Sequence, residues 1–175
     1  MKFSAADLKP LACMVAVIIA DQLSKLLIVS NFRLYESKSV IPGLFNLVYF
    51  TNTGAAFGFL AGDSVGWRQL FFSTVAVLAL AGLFLSYGYF KRQGALYPYA
   101  ITCIAGGAVG NLVDRVRLGS VIDFLDFYFK EYHWPAFNFA DSAICVGVGL
   151  FLLASFLAAG ESAASDQTTS NEESL

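Results

Sequence analysis

The chain has 175 residues, 57% of them hydrophobic, 15% aromatic and only 14% charged, with a formal net charge of −2. Soluble domains average about 45–50% apolar and about 25% charged residues, so both figures point away from a water-soluble domain. The charge is nearly balanced and no basic run is present, which argues against a nucleic-acid partner.

The first apolar run covers about residues 10–29 (PLACMVAVIIADQLSKLLIV). Lys2 and Lys9 precede it in the manner of a signal peptide. However, Ile18 and Ala20 make a poor small-x-small cleavage site, and the apolar character continues past Asp21 to Val29. Cys13 comes too early to be a lipoprotein acceptor, so the run is expected to be a retained helix. Within it Asp21 and Lys25 lie four apart and share a helical face. They read either as an ion pair easing two costly groups into a bundle or as bracing for a site.

Residues 30–68 are aromatic and β-branched around 44–50, then small at 54–58. They predict one or two short strands and a glycine-containing turn on the membrane surface. The second run, about 69–90, and the third, about 96–113, follow with only Lys91 to Ala95 between them. The third run contains Gly106 and Gly110, a GxxxG pattern that lets helices approach closely. Asn111, Asp114 and Arg115 continue that face as a polar ridge. The segment 114–136 reads as a loop, and the fourth run, about 136–159, opens on Asn138 and Asp141, spaced like a capping box. Residues 161–175 are acidic and rich in Ser and Thr, which predicts a disordered tail.

Each run is near the ~20 residues that a helix needs to cross a bilayer, and helices satisfy their own backbone in lipid. The expected fold is therefore an all-α membrane protein in one domain, residues 1–160, with four transmembrane helices and a small β platform in the first long loop. Trp67 and Trp134 flank span ends as interfacial anchors would. The three cysteines, Cys13, Cys103 and Cys145, fall inside apolar runs without CxxC spacing and read as buried, inert thiols. Four spans put both termini on one side, but four Lys and Arg on that side against six opposite leave orientation undecided.

The acids carry the chemistry. Asp123 sits among Val121, Ile122, Phe124 and Leu125, with Asp126 as a rival three residues on, and spacing does not choose between them. The loop joining the third and fourth runs lets Asp123 and Asp141 meet at one membrane depth. Two carboxylates in a low-dielectric pocket share a proton and titrate as a unit, the aspartic-protease arrangement. There is no HExxH, no GxSxG and no GxGD, and the lone histidine, His133, lies in a YHWP loop.

The ordered set DQLSK, TNTGAAFGF, GGAVGNLVDRV, GSVIDF and FNFADSAI resembles the bacterial lipoprotein signal peptidases (signal peptidase II) from residue 21 to about 146. The resemblance implies a four-helix aspartic endopeptidase of the bacterial inner membrane. Such an enzyme cleaves diacylglyceryl-modified prolipoproteins before the lipidated cysteine and is blocked by globomycin. It implies Asp123 and Asp141 as the catalytic pair, and Asn52, Asn111, Arg115 and Asn138 as their polar support. Asp21, Lys25 and Asp114 are then structural bracing. The termini would be cytoplasmic and the catalytic end periplasmic. No metal or organic cofactor is implied, and the expected partners are the prolipoprotein, membrane lipid and globomycin-type inhibitors, with the enzyme a monomer. The rival reading is a proton-coupled carrier or a metal-dependent lipid phosphotransferase in which Asp123, Asp126 and Asp141 hold Mg²⁺. Against it stand the missing doubled DxxD set and the small number of spans, and sensitivity to chelators separates the two.

Overall fold

The computed structural model describes residues 5–54 and 65–172. A 3-10 turn (Ala5–Asp7) leads into α1 (Leu8–Asn31), followed by β1 (Ser37–Ile41), β2 (Phe45–Asn52) and α2 (Val65–Phe90). Then come α3 (Leu96–Leu118), β3 (Val121–Phe129), β4 (Tyr132–His133) and α4 (Phe139–Glu172). Four stretches are long and apolar enough to cross a membrane: Ala5–Asn31, Gly66–Phe90, Leu96–Leu118 and Phe139–Gly160. They fall on the four apolar runs of the sequence. The helix of α4 continues to Glu172, into the acidic, Ser- and Thr-rich segment that begins at residue 161. The alanines at 158, 159, 163 and 164 favour that continuation.

The centre of the bundle is α3. Of its apolar window 61% is buried, against 6% for α2, and it packs on each of the other three helices, most extensively on α4. Small residues make this possible. A Cβ on Gly107 would lie 2.3 Å from the carbonyl oxygen of Ala140, and one on Gly106 would lie 3.0 Å from Val17. Here α3 meets α4 and α1 nearly backbone to backbone, as the small-residue face predicts. At the end of the bundle nearer the chain termini, buried Asp7 accepts from the Tyr87 hydroxyl at 2.8 Å and pairs with Lys91.

At the opposite end the strands form one antiparallel sheet in the order β1-β2-β3-β4. The expected β platform is thus real but is not confined to the first long loop. β3 and β4 come from the segment between the third and fourth spans, read from sequence as a loop. The sequence VIDFLDFYF is β-branched and aromatic, and it finds its partner in β2, about 75 residues upstream, with Phe45 opposite Phe127 and Asn52 opposite Val121. Ile122 and Phe124 bury against Ile28 of α1, with Leu47, Tyr49 and Leu125 around them, so the sheet is fastened to the bundle by an apolar cluster. The cysteines are all free thiols, with Cys103 buried, Cys13 half-buried and its sulfur 3.7 Å from that of Cys103. Cys145 corrects the expectation of burial: it is exposed on α4, on a surface that apolar neighbours make suitable for lipid.

Candidate active site

The end of α3 sets the position of Asp123. Gly119 caps the helix in the left-handed region, at φ 77°, with its N–H bonded to the Arg115 carbonyl at 3.0 Å. The chain turns there directly into β3, and the Ile122 N–H donates to Asp114 Oδ2 at 3.3 Å, tying the new strand to the last turns of the helix. Asp123 then lies opposite Phe50 of β2.

Asp141 is placed by a different device. Asn138 precedes α4, and its Oδ1 accepts from the Asp141 N–H at 3.0 Å, while Asp141 Oδ2 accepts from the Asn138 N–H at 3.2 Å. This is a reciprocal capping box with an acid at the third helical position. It satisfies two backbone donors and fixes the carboxylate of Asp141 at the positive end of the helix.

Amides join the two acids. Asp123 Oδ1 accepts from Asn138 Nδ2 at 2.8 Å and Oδ2 from Asn52 Nδ2 at 3.1 Å. Asp141 Oδ1 accepts from Asn111 Nδ2 at 2.8 Å. All four carboxylate oxygens therefore have an N–H donor, and Asn138 supplies one to each acid, from its side chain to Asp123 and from its backbone to Asp141. Asp123 is 4% exposed, whereas Asp141, Asn52 and Arg115 are half-buried, so the pair is reached from the Asp141 side. Burial pushes the carboxyl of Asp123 up from 3.8 to about 7, aided by the nearby charge of Asp141 and opposed by its two amide donors. Near neutral pH this group holds or releases a proton readily. A half-open pair of acids, one able to carry a proton beside another, suits general acid–base attack of water on a carbonyl.

Beneath the acids lies a buried ionic layer. Lys25 Nζ contacts Asp21 Oδ2 at 2.9 Å, Asp114 Oδ2 at 2.7 Å and Asn111 Oδ1 at 3.0 Å. Asp21 Oδ1 accepts from the Ala140 N–H at 3.0 Å, in the first turn of α4. Charges removed from water are tolerated only when paired and hydrogen-bonded, and this layer meets both conditions.

The family model described as signal peptidase (SPase) II matches residues 13–157. The chain belongs to the signal peptidase II family. It is similar to the lipoprotein signal peptidase of Geobacter metallireducens, 48% identical over 136 residues, which are 78% of this chain and 83% of the relative. The lipoprotein signal peptidase of Shewanella piezotolerans is 47% identical over 156 residues, 87% of this chain and 88% of the relative. A bacterial membrane enzyme solved by the in meso method at 2.3 Å resolution superposes with a TM-score of 0.73 at 33% identity, over 85% of this chain and 87% of that one.

In this signal peptidase II the fold brings Asp123, Asp141, Asn52, Asn111 and Asn138 into one hydrogen-bonded group, with Asp21, Lys25 and Asp114 directly below it. Arg115 stands at the rim, where it donates to the Gly54 carbonyl at 3.3 Å and lies 5.7 Å from the Phe72 ring. Asp126 is elsewhere. It accepts from Asn46 Nδ2 at 2.9 Å and lies 2.8 Å from His133 Nδ1, which also gives the lone histidine a definite partner. Gly58 and the rest of the turn expected at 54–58 lie outside the described residues beyond Gly54. Two glutamines escaped the sequence reading. Gln22 Nε2 reaches Asp21, Asp114 and the Gly110 carbonyl at 3.0–3.2 Å, and Gln69 Nε2 donates to the Arg115 carbonyl at 2.9 Å. A polar residue beside Asp21 in an apolar run was the available signal for Gln22. Gln69 had none, since it opens a run at a span end.

Proposed function

We propose that Asp123 and Asp141 are the catalytic pair with which this signal peptidase II removes the signal peptide from diacylglyceryl-modified prolipoproteins, cutting before the lipidated cysteine. The reading is carried by one observation: two carboxylates from different elements, one on a strand and one on a helix start, are both bound by Asn138, whose side-chain amide donates to Asp123 and whose backbone N–H donates to Asp141. The ionised acid takes a proton from a water molecule as its oxygen attacks the scissile carbonyl, and the protonated acid supplies a proton to the carbonyl oxygen. A tetrahedral diol forms. Its collapse breaks the C–N bond, with a proton passing to the leaving amine of the cysteine. A lipid-anchored substrate presents that bond at the membrane boundary, which accounts for acids placed where the helices meet the sheet. The reading includes an inner-membrane enzyme with cytoplasmic termini and a periplasmic sheet, inhibited by globomycin and acting as a monomer.

The test is turnover of a diacylglyceryl-modified prolipoprotein by the purified chain. Asp123→Asn and Asp141→Asn are each expected to abolish cleavage with helix content near wild type, whereas Asp126→Asn keeps most activity. A dead Asp126→Asn beside an active Asp123→Asn would overturn the assignment.

A further inference from the structure

The Asn111 side chain is held at both ends by groups that leave it one orientation. Its Oδ1 faces Lys25 Nζ at 3.0 Å, and an ammonium can only donate. Its Nδ2 then donates to Asp141 Oδ1 at 2.8 Å. Asn138 Nδ2 also donates to Asn111 Oδ1, at 3.2 Å. Turning the amide over would set its NH₂ against the ammonium and its carbonyl against the carboxylate. Lys25 is itself fixed, 2% exposed, by Asp21 and Asp114.

Resting on the reading of Asp123 and Asp141 as the catalytic pair, we propose that Lys25 is a positioning residue that acts through Asn111. It locks the amide so that Nδ2 is delivered to Asp141, and it thereby keeps Asp141 as the ionised member of the pair and the proton on Asp123. Hydrogen bonds in such a chain polarise one another, so the ammonium on the carbonyl end makes the amide N–H a stronger donor. The two acids differ in the same sense in their settings. Asp141 lies at the start of α4 and is half-buried, whereas Asp123 lies on a strand at 4% exposure. The charged groups facing the pair are Asp21 and Lys25 of α1, Asp114 and Arg115 of α3, and the two acids themselves on β3 and α4. Lys25 is the cation among them that contacts the amide bound to Asp141. Asp21 and Asp114 hold it there without touching either member of the pair in any hydrogen bond described above.

The experiment is a double-mutant cycle on the purified full chain, with kcat and KM followed across pH. Lys25→Arg keeps the charge between Asp21 and Asp114 but carries a planar fork in place of a point donor. Asn111→Leu removes the amide and leaves Lys25 paired with Asp21 and Asp114. Each is expected to lower kcat by about 10- to 100-fold with KM little changed, because the acid is misplaced while the substrate is still bound. The double variant is expected to be no worse than the poorer single one, because Lys25 has nothing left to act through. Asn111→Leu also moves the acid limb of the kcat profile to higher pH. Costs that multiply in the double variant, or an acid limb unmoved in Asn111→Leu, would overturn the proposal. If wild type itself fails to cleave, or Asp123→Asn cleaves, the underlying reading of the catalytic pair fails instead. Should Lys25→Arg not fold, Lys25→Met combined with Asp114→Asn removes the cation with one of its acids. Asp21 then keeps its Ala140 and Gln22 donors, and this variant must show the same loss of kcat and the same shift of the acid limb.

Discussion

Asn138 is fully buried: Oδ1 caps α4, the backbone N–H binds Asp141, and Nδ2 reaches both Asp123 and Asn111. A cap alone would need only the first of these. Asp123, its main partner, has a measurable signature. Its carboxyl is shifted from 3.8 to about 7, chiefly by burial, so between those values the folded chain holds a proton that the unfolded chain has released. Stability is therefore fullest at low pH, falls as pH rises from about 4, and reaches its lower level once pH passes about 7. Thermal unfolding in detergent across this range should show the decline, and Asp123→Asn should flatten it. A decline of equal size in Asp123→Asn would assign it to another group.

At the scale of elements, the strand end of β2 and the start of β3 make the shelf on which Asp123 sits. Asn52 links that shelf to the chain beyond it, because its Oδ1 accepts from the Gly54 N–H at 2.9 Å while its Nδ2 donates to Asp123. Asn52→Ala is expected to cut turnover about 10- to 100-fold and to weaken globomycin binding, with a stability loss of about 1 kcal/mol for the lost hydrogen bonding. Wild-type turnover together with unchanged inhibitor affinity would reduce Asn52 to a turn residue. The four helices were legible in the sequence because their signal is local, about twenty apolar residues at a stretch. The capping box and the i,i+4 pair were legible for the same reason. β3 was not, because its partner strand lies far upstream, and the spacing of Asp123 and Asp126 invited comparison with a helical turn. On a strand, residues three apart point to opposite faces, and the two acids accordingly have separate partners. β2 gives the two acids different partners, offering Asn52 to Asp123 and Asn46 to Asp126.

At the scale of the whole molecule, the site is a convergence of α1, β2, α3, β3 and α4 on one end of the bundle, and α3 sets the distances among them. Gly107 is the tightest point of contact between α3 and α4, where any side chain would press on the Ala140 carbonyl one residue before Asp141. Gly107→Ala should therefore cost activity about 100-fold by moving the start of α4, as well as lowering the unfolding temperature. An active, stable Gly107→Ala would show that the α3–α4 contact yields elsewhere. The bridge between Asp21 and Lys25 also bears on how the protein is made. At the ribosome α1 emerges with its acid and base already one turn apart, while the Ala140 N–H that later binds Asp21 lies 119 residues downstream. For that interval the pair must neutralise itself in the translocon, where a lone charge at mid-helix costs about 2.5–3.5 kcal/mol. Exchanging neighbours, Lys25→Leu with Leu26→Lys, keeps composition and depth but turns the lysine away from Asp21. Isolated α1 carrying that exchange should insert less completely than the native helix in a glycosylation-mapping assay, and equal insertion would mean that the bridge serves only the finished enzyme.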